Sequence, residues 1–441
     1  MVVADSARSV RIALLGCGTV GSGVVKLLRS NAALLEARLG AQLELVGVAD
    51  RSLRPDPDLG LSQALITRDA HALVIRPDVD IVVELFGGLE PAGSLIEAAL
   101  AAGKDVVTAN KALLAEQGER IFAAGAHYGR AIGFEASVGG GIPIIRTLRL
   151  GLAGDRQRAV YGIVNGTCNY ILSTMAQRGS EFAQALAQAQ QNGLAEADPS
   201  LDIEGHDAAH KLCLLVMLAF GVLLKPAQVY TEGITRITQQ DVAYAGQLGF
   251  VIKLLAIAKE EAGAVEARVH PTMVPAGHLL ASVSGAYNAI YIQGAALGAT
   301  MYFGLGAGQM PTATAVVADI VELARMRRAG ASASAQVLGY PFGALKPAQL
   351  KPMDDVICEY YLRFMAEDKP GVLGAIASVL GEHRISLASV IQHERAPTVS
   401  VPVVMRTHAA SEHALKAALE EIGRQRIVHG APVALRIEEQ L

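Results

Sequence analysis

Tryptophan is absent from this chain, and cysteine is scarce, with four residues in 441. The cysteines are scattered, and none of them forms a C-x-x-C pair: Cys17, Cys168, Cys213 and Cys358. This spacing argues against a disulfide framework and against a zinc site. It is typical of reduced thiols in a cytoplasmic protein.

Long apolar runs, a leader and basic clusters are missing as well. The apolar run from Lys211 to Leu224 is shorter than the about 20 residues that span a bilayer. Met1–Ser9 is too short and polar for a signal peptide. The net charge is −4 with no basic block, which argues against a nucleic-acid partner. We therefore expect a soluble protein that binds neither nucleic acid nor membrane.

The chain does contain ample apolar material, since 51% of its residues are hydrophobic and 18% are charged. The length predicts about two to four domains. Residues 1–150 alternate strand and helix patterns, which is typical of a doubly wound parallel sheet in an α/β fold. Residues 151–310 mix long helices such as His206–Leu224 with isolated strands. After a Gly-, Ser- and Pro-containing linker at 331–352, residues 353–441 read strand, helix, strand, strand, helix, strand, which predicts an α+β unit of the ferredoxin-like kind.

The segment Gly16-Cys17-Gly18-Thr19-Val20-Gly21 follows a strand-like run and opens a helical pattern. G-x-G-x-x-G in this context predicts a dinucleotide site. Gly16 permits the tight turn, Gly18 lets the backbone approach a pyrophosphate, and Gly21 lets helix and strand pack closely. The helix N-terminus, with Thr19 and Val20, offers N–H groups to the phosphates. We expect NAD or NADP as the cofactor.

The end of the next strand bears on the choice between these two cofactors. Asp50 would accept hydrogen bonds from the adenosine ribose of NAD and repel the extra phosphate of NADP. Arg51 and Arg54 follow, however, and a guanidinium in this loop could accommodate that phosphate. A solvated turn is the plainer interpretation. The choice stays open, and we predict that NAD is used at least as well as NADP.

Further candidates for the cofactor site follow other predicted strands. Gly87 and Gly88 follow one strand, and Thr108 and Lys111 end the next, where ligands of open α/β sheets lie. On pattern alone Lys111 could equally be a surface lysine, but its place at a strand end favours a function. A second glycine-rich loop, with Gly306 and Gly308, leads into a predicted helix at 312–329. It could fold over a nucleotide or simply connect back to the first domain.

Two segments carry clustered chemistry. Glu135 precedes three consecutive glycines, a pattern that suits a hard cation bound by carbonyls or, equally, a hinge. The densest cluster runs from Glu196 to Lys211, and within it Asp207 and Lys211 share a helical face at i,i+4 spacing. This pair could move a proton or be an ordinary ion pair. The segment His206-Asp207-Ala208-Ala209-His210 imitates a zinc motif, but Asp is short and no third ligand is evident.

Taken together, the motifs resemble those of the homoserine dehydrogenase family in its monofunctional form with a C-terminal ACT domain. The resemblance covers essentially the whole chain and is most specific from Glu196 to Lys211. It rests on the following segments: GCGTVG (16–21), TANKALLA (108–115), FEASVGGGIPI (134–144), NGTCNYIL (165–172), EADPSLDIEGHDAAHK (196–211) and GAGQMPTATAVVAD (306–319). It implies reduction of L-aspartate 4-semialdehyde to L-homoserine with NADH or NADPH, in threonine, methionine and isoleucine biosynthesis.

The resemblance also implies roles for individual residues. Lys111, Lys211 and Asp207 match catalytic positions. Substrate-binding positions are matched by Glu196, Asp202, Asn165, Gly166 and Thr167. Positions that hold a structural sodium (or potassium) ion, largely through carbonyls, are matched by Glu135, Val138, Gly140 and Ile142. The sequence departs from many relatives next to Asp50, where they place an arginine slightly earlier.

The domains implied are a dinucleotide-binding domain at 1–150, completed by 311–330, a substrate-binding and dimerisation domain at 151–310, the linker, and an ACT regulatory domain at 353–441. ACT domains usually pair across chains and bind amino acids. The resemblance thus implies a homodimer or homotetramer with threonine as an effector, although a purely oligomerising appendage remains open. Two rivals also remain: a dehydrogenase for another semialdehyde or amino acid, and a non-catalytic amino-acid sensor.

Overall fold

The computed structural model describes residues 9–56, 58–330, 338–393, 400–425, 427–439 and 441. The predicted polar N-terminus (1–8) and part of the predicted linker (331–337) lie outside these residues. The chain divides into two compact units. Unit 1 comprises Met1–Val164, Asp207–Val229 and Tyr287–Ala348, and unit 2 comprises Asn165–His206, Tyr230–Ala286 and Gln349–Leu441.

The elements alternate between strand and helix in the first third of the chain, as the sequence predicts. They run β1 (Val10–Leu15), α1 (Thr19–Ser30), α2 (Ala32–Leu39), β2 (Leu43–Ala49), β3 (Ile66–Thr67), α3 (Ala70–Val74), β4 (Ile81–Glu84), α4 (Ala92–Ala101), β5 (Asp105–Thr108), α5 (Lys111–Tyr128), β6 (Ile132–Gly133), α6 (Ile144–Arg146) and β7 (Gln157–Ile163).

The middle of the chain contains both helices and long strands. They run α7 (Gly166–Arg178), α8 (Phe182–Gln191), α9 (Ser200–Ile203), α10 (His206–Phe220), β8 (Val222–Leu223), β9 (Tyr230–Thr231), α11 (Gln239–Gln247), β10 (Phe250–Glu261), β11 (Ala264–Pro275), β12 (Tyr287–Gly294), β13 (Gly298–Leu305) and α12 (Gln309–Arg328). The last elements are β14 (Lys346–Pro347), β15 (Ile357–Glu367), α13 (Val372–Glu382), β16 (Leu387–Ile391), β17 (Ser400–Thr407), β18 (Ala410–Ser411), α14 (Glu412–Arg424) and β19 (Val433–Ile437).

The first sheet of unit 1 has the strand order β3-β2-β1-β4-β5-β6, and its strands pair in parallel. This order is that of the Rossmann fold. The strands β4 and β5 are buried throughout, as expected for parallel strands covered on both faces. The helix α12 returns to this layer: a Cβ on Gly23 of α1 would lie 2.9 Å from Gln309 Cγ. The predicted α/β fold is therefore confirmed for this part of the chain.

In unit 2, the order β19-β15-β17-β16 joins the strands of the C-terminal segment. These strands, together with α13 and α14, follow the predicted order strand, helix, strand, strand, helix, strand. Side chains of the sheet and both helices form one apolar core that includes Phe364, Ile376 and Ile422. The ferredoxin-like unit is confirmed. In the part of the chain that the structure describes, no helix is both long and apolar enough to cross a membrane.

The structure corrects three expectations. The helix predicted at 312–329 spans Gln309–Arg328. The predicted helix from His206 to Leu224 ends at Phe220, because Gly221 adopts a left-handed φ of +69° and the chain continues as β8. The strands among the helices of residues 151–310 were expected to be isolated, but β10 and β11 form an antiparallel hairpin of 12 residues on each side. Both strands are buried almost end to end, so they lack the alternation that reveals a half-exposed strand.

Candidate active site

The glycine fingerprint of unit 1 has the geometry of a phosphate cradle. Gly16 has φ of +91°, and a Cβ on Gly21 would lie 2.1 Å from Gly16 O, so neither position tolerates a side chain. A Cβ on Gly18 would meet nothing within 4 Å, which leaves the backbone open on that side. The helix α1 begins at Thr19 with no side-chain cap on its N–H groups. These residues, with Val20 in the first turn, therefore fit a dinucleotide pyrophosphate.

Asp50 lies at the end of β2 and is already hydrogen-bonded within its own loop. The N–H of Cys17 donates to its Oδ2 (2.9 Å), and the N–H and hydroxyl of Ser52 and the N–H of Leu53 donate to its Oδ1. Although burial opposes the shift, these donors hold the pKa of Asp50 below its ordinary value. Burial and the nearby Asp50 in turn raise the pKa of the Cys17 thiol to about 11.

A cleft of about 480 Å³ lies beside this carboxylate and is lined by Gly18, Asp50, Arg54 and Asp56, among others. Arg51 is exposed at the following turn. Two carboxylates and one guanidinium therefore face the space next to the fingerprint.

The ends of β4 and β5 are joined by a polar network that sequence reasoning missed. Glu84 is completely buried, and its Oε1 accepts hydrogen bonds from the N–H groups of Phe86 and Gly87. Its Oε2 accepts one from the Thr108 hydroxyl (2.6 Å). Asn110 donates to Gly88 O (2.7 Å) and caps α5 by accepting the N–H of Leu113. The visible signal was a carboxylate at the end of an otherwise apolar strand.

This cap fixes Lys111 as the first residue of α5, from where it contacts α10. Lys111 Nζ lies 2.9 Å from Asp207 Oδ1, and Lys211 Nζ lies 2.7 Å from Asp207 Oδ2. Lys211 Nζ also donates to Val164 O at the end of β7 (2.6 Å). The structure therefore brings the three predicted catalytic residues together, with Asp207 between the two ammonium groups.

Burial separates the roles of these three side chains. Asp207 and Lys211 are buried, whereas the side chain of Lys111 is 34% exposed. Burial alone would raise the pKa of Asp207, but Lys211 and Lys111 outweigh it and hold that pKa well below its usual range. The carboxylate therefore remains ionised and keeps both ammonium groups oriented. An exposed ammonium held in this way can donate a proton to a bound group.

In unit 2, three of the predicted substrate-binding residues are connected by hydrogen bonds. Asn165 Nδ2 donates to Asp202 Oδ1 (2.7 Å), and Thr167 Oγ1 lies 3.1 Å from Asp202 Oδ2. Asn165 also caps α7, which begins at Gly166, by accepting the N–H of Cys168 (2.8 Å). Glu196 is exposed in the loop before α9. The residues at the N-terminus of α7 thus hold the half-buried carboxylate of Asp202 in place.

The loop with the predicted cation ligands is buried in unit 1. The Glu135 carboxylate accepts the N–H groups of Ile145 and Arg146, so it caps α6. Burial raises its pKa, although these two donors oppose the shift. Gly140 turns the chain with φ of +54°, and Ile142 O accepts the N–H of Ile144. The set therefore fits a hard cation only through backbone carbonyls, including that of Val138.

Two further observations bear on metals and on the second glycine loop. Among the described residues no group of three or more His, Cys, Asp or Glu side chains could hold a metal ion.

Gly306 lies where a Cβ would be 2.0 Å from Asn288 Nδ2, and Gly308, with φ of +123°, precedes α12. Gln309 donates to the Ser22 hydroxyl of α1 (2.9 Å), so this loop leads directly to the fingerprint helix.

Comparison with protein families yields three matches along the chain. A model described as the NAD-binding domain of homoserine dehydrogenase matches residues 16–135, and one described as homoserine dehydrogenase matches residues 143–321. An ACT domain model matches residues 360–426.

Individual proteins are similar over nearly the whole chain. A homoserine dehydrogenase of Neisseria gonorrhoeae is 41% identical over 98% of this chain and 99% of that protein. The crystal structure of a homoserine dehydrogenase from Thiobacillus denitrificans is 43% identical, with a TM-score of 0.92 over 98% of this chain and 99% of that one. A hyperthermophilic archaeal homoserine dehydrogenase in complex with NADPH is 26% identical, with a TM-score of 0.62 over 72% of this chain and 98% of that one.

Proposed function

Because the chain belongs to the homoserine dehydrogenase family, and is thus an oxidoreductase with an NAD-binding domain and a C-terminal ACT domain, we propose that it interconverts L-aspartate 4-semialdehyde and L-homoserine. The observation that carries this proposal is the contact of Lys111 and Lys211 with the buried Asp207. The pathway proposed is the one that leads to threonine, methionine and isoleucine.

The proposed mechanism follows from the charge that develops on the substrate oxygen. The nicotinamide cofactor, when bound, supplies a hydride to the aldehyde carbon. The aldehyde oxygen gains negative charge as its double bond breaks, and a neighbouring ammonium stabilises it and gives it a proton. We assign this role to Lys111 and Lys211, while Asp207 orients Lys211 and the substrate. In the direction of oxidation, a lysine takes the hydroxyl proton back.

The substrate's amino group or hydroxyl is proposed to be bound by the acidic residues of unit 2. Asp202 supports this role because Asn165 and Thr167 fix its carboxylate while leaving it half-buried. Gly166 contributes the first turn of α7, and Glu196 is assigned as a second acidic contact. Replacing Asp202 with Asn removes the charge but keeps the shape, so we expect it to raise KM for homoserine more than it lowers kcat.

For the cofactor, we propose that NAD serves at least as well as NADP. Asp50 and Asp56 border the cleft beside the fingerprint together with Arg54, and the two carboxylates outnumber the one guanidinium that could bind an additional phosphate. The KM values for the two cofactors, measured at one homoserine concentration, test this. A much lower KM for NADP contradicts the proposal.

Gly18 offers a separate test of the cofactor site. Because a Cβ there meets nothing in the protein, Gly18→Ala should fold normally and weaken cofactor binding. The matched variant Gly21→Ala places a Cβ against Gly16 O and should lower the unfolding temperature. Unchanged cofactor affinity in folded Gly18→Ala contradicts the assignment of the fingerprint, which also includes Thr19 and Val20.

We further propose a structural sodium or potassium ion held by carbonyls of Glu135, Val138, Gly140 and Ile142. The left-handed turn at Gly140 supports a loop that directs carbonyls to one point. Thermal unfolding in NaCl or KCl should then occur at a higher temperature than in choline chloride of the same ionic strength. Equal unfolding temperatures contradict an ion site.

The ACT domain is proposed to bind threonine and to inhibit the enzyme, in a homodimer or homotetramer located in the cytoplasm. Support comes from the turn at Gly371, whose φ of +93° opens α13 where ACT domains bind ligands, and from the four cysteines, which lie in the described residues and form no disulfide there. The proposed domain boundaries are 1–150 with 311–330 for the dinucleotide-binding domain, 151–310 for the substrate-binding and dimerisation domain, 331–352 for the linker and 353–441 for the ACT domain. Deleting residues 353–441 should abolish inhibition by threonine, and an unchanged response contradicts regulation by this domain.

The decisive experiment is the initial rate of NAD and NADP reduction by the purified full chain with L-homoserine. We expect a homoserine-dependent rate that is lost in Lys211→Ala. A folded protein that reduces neither cofactor in the presence of sodium or potassium would overturn the proposed reaction. It would favour another semialdehyde or amino acid, or a non-catalytic sensor.

A further inference from the structure

A second cleft in unit 1, of about 880 Å³, belongs to neither the fingerprint nor the lysine cluster. One side is lined by residues of α5 and the other by residues of α10, including Leu214 and Met217. Leu224 and Lys225 of the chain after α10 also line it. Its volume is within the range of small-molecule sites, which combine apolar walls with a few polar groups.

The cleft lies along the same two helices that carry the lysine cluster. Glu116 and Gln117 follow Lys111 by five and six residues on α5, which is about 8 to 9 Å of helix. Leu214 follows Asp207 by a similar length of α10. Between the cluster and the cleft, His210 Nε2 of α10 lies 3.7 Å from Glu116 Oε1 of α5. A molecule in the cleft would therefore contact both helices close to the Lys111–Asp207 contact.

One polar atom in the wall lacks a partner. Gln117 lines the cleft, and its Oε1 is buried with no hydrogen-bond partner among the described residues. Its backbone is also non-helical (φ −127°, ψ 15°), so α5 is kinked at this residue. A buried acceptor without a donor is costly, and a bound ligand is one way to satisfy it. A molecule that brings an N–H or O–H donor to Gln117 would satisfy this atom.

Charges of both signs stand at the edge of the cleft. Glu116 and Glu119 line it on α5 together with Arg120, whose guanidinium already pairs with Glu90 and Glu97, and the exposed Lys225 lines it after α10. Within the described part of the chain, no carboxylate forms an ion pair with Lys225. A ligand with an ammonium group and a carboxylate complements both charges, and the apolar walls between them require an apolar body.

We infer that this cleft binds a free α-amino acid with a bulky apolar side chain. Its ammonium group donates to Gln117 Oε1 beside Glu116, its carboxylate pairs with Lys225, and its side chain packs against Leu214, Met217 and Leu224. A ligand in the cleft would also alter turnover through α5 and α10, and this effect rests on the proposed function. Binding itself does not depend on it.

The absence of tryptophan from the chain permits a direct measurement. Leu223, half-buried in the wall of the cleft, is replaced by tryptophan in the full chain, which makes its emission the only indole signal. L-Leucine at millimolar concentrations should shift or quench this emission in a saturable way. The control Leu297→Trp, an exposed position outside the cleft, should not respond.

Two analogues test the two charged ends of the ligand. 3-Methylbutylamine lacks the carboxylate of leucine and 4-methylpentanoate lacks its ammonium group, so each should bind at least tenfold more weakly than L-leucine. Equal binding of either analogue overturns recognition of an amino acid. No saturable response to L-leucine in Leu223→Trp overturns the site itself.

Variants of the cleft, made in the Leu223→Trp protein, locate the ligand. Lys225→Met and Gln117→Leu should each raise the Kd for L-leucine about tenfold or more. Lys225 is exposed, so its replacement keeps the fold and supplies a test even if Gln117→Leu fails to fold. Unchanged affinity in folded Lys225→Met contradicts the inference. Because the readout is tryptophan emission, the outcome of this test does not depend on homoserine turnover.

Discussion

Asp207 and Asp319 are both buried carboxylates of unit 1, with 3% and 5% of their surface exposed, and each contacts a cation, but only Asp319 also has carboxylates as neighbours. Asp207 lies between two lysines, which hold its pKa well below its usual range against the effect of burial. Asp319 of α12 accepts the N–H of Glu135 and is close to the Glu135 and Glu322 carboxylates. Burial and Glu135 raise the pKa of Asp319 to about 7, although Arg146 opposes the shift.

The comparison shows that burial alone does not decide the state of a carboxylate. With cations on two sides, Asp207 is fixed as an anion that orients proton donors. Asp319 has two acids as well as Arg146 as neighbours, so its pKa is raised, and its carboxyl connects α12 to the Glu135 loop. The first arrangement suits catalysis, and the second makes stability depend on pH.

The largest effect is expected from breaking the lysine cluster. Lys211→Ala and Asp207→Leu should each lower kcat by about two orders of magnitude or more, because the proton donor is lost or misoriented. Steady-state oxidation of homoserine measures this. Lys104→Met is the matched control: Lys104 is a buried lysine that donates to Val79 O, and its loss should spare kcat. Near-native turnover in Lys211→Ala or Asp207→Leu refutes the assignment.

A second effect is on folding at neutral pH. Asp207→Asn leaves Lys211 buried without a counterion and should lower the free energy of unfolding by about 3 kcal/mol. The pKa of Asp207 is lower when folded than when unfolded, so its contribution is present above the unfolded pKa and is lost as pH falls through the folded one. The difference in unfolding free energy between variant and wild type, measured by chemical denaturation, should therefore narrow only in strong acid. A gap that widens on acidification contradicts this.

The stability that Asp319 contributes should change with pH in the opposite direction. Its folded pKa is raised, so its stabilising contribution is complete below the unfolded pKa and is lost as pH rises through about 7. Between pH 6 and pH 8 the wild type should lose about 1 kcal/mol more stability than Asp319→Asn. Urea unfolding of both proteins at the two pH values measures the difference. Parallel losses would mean that Asp319 is ionised throughout.

The smallest effect concerns the neighbour of Asp319. Glu322 raises the pKa of Asp319 and also binds Arg146 (2.7 Å). Glu322→Gln removes the like charge and leaves Arg146 to Asp319, so the pH midpoint of the stability loss should move down by less than about 1 unit. The same urea series detects this shift. A midpoint that moves upward excludes repulsion by Glu322 as a cause.

The sequence allowed prediction of features that depend on local spacing. The glycine fingerprint predicted the cradle, and the i,i+4 spacing of Asp207 and Lys211 predicted their ion pair, because both depend on neighbouring residues. The order of strands and helices in the C-terminal unit was predicted as well. The family resemblance implied that Lys111 belongs with Asp207 and Lys211, but not that it contacts Asp207.

Features that depend on distant residues were not predicted. Asp319 and Glu135 are 184 residues apart, and no local pattern indicates that they meet. Nor does composition show that Glu84 caps two strand ends, since a lone carboxylate in a strand is compatible with several roles. The β10–β11 hairpin was missed because burial of both faces removes the alternation on which strand prediction depends.

The charge count of the lysine cluster has a consequence for encounter with ligands. The chain as a whole carries a net charge of −4, which weakly repels anions. Lys111, Lys211 and Asp207 sum locally to one positive charge, and Lys111 exposes part of it to solvent. Beyond a Debye length the repulsion is screened, while at contact this local attraction acts on phosphates and carboxylates. Molecules that carry such groups are thus selected only once they enter the site.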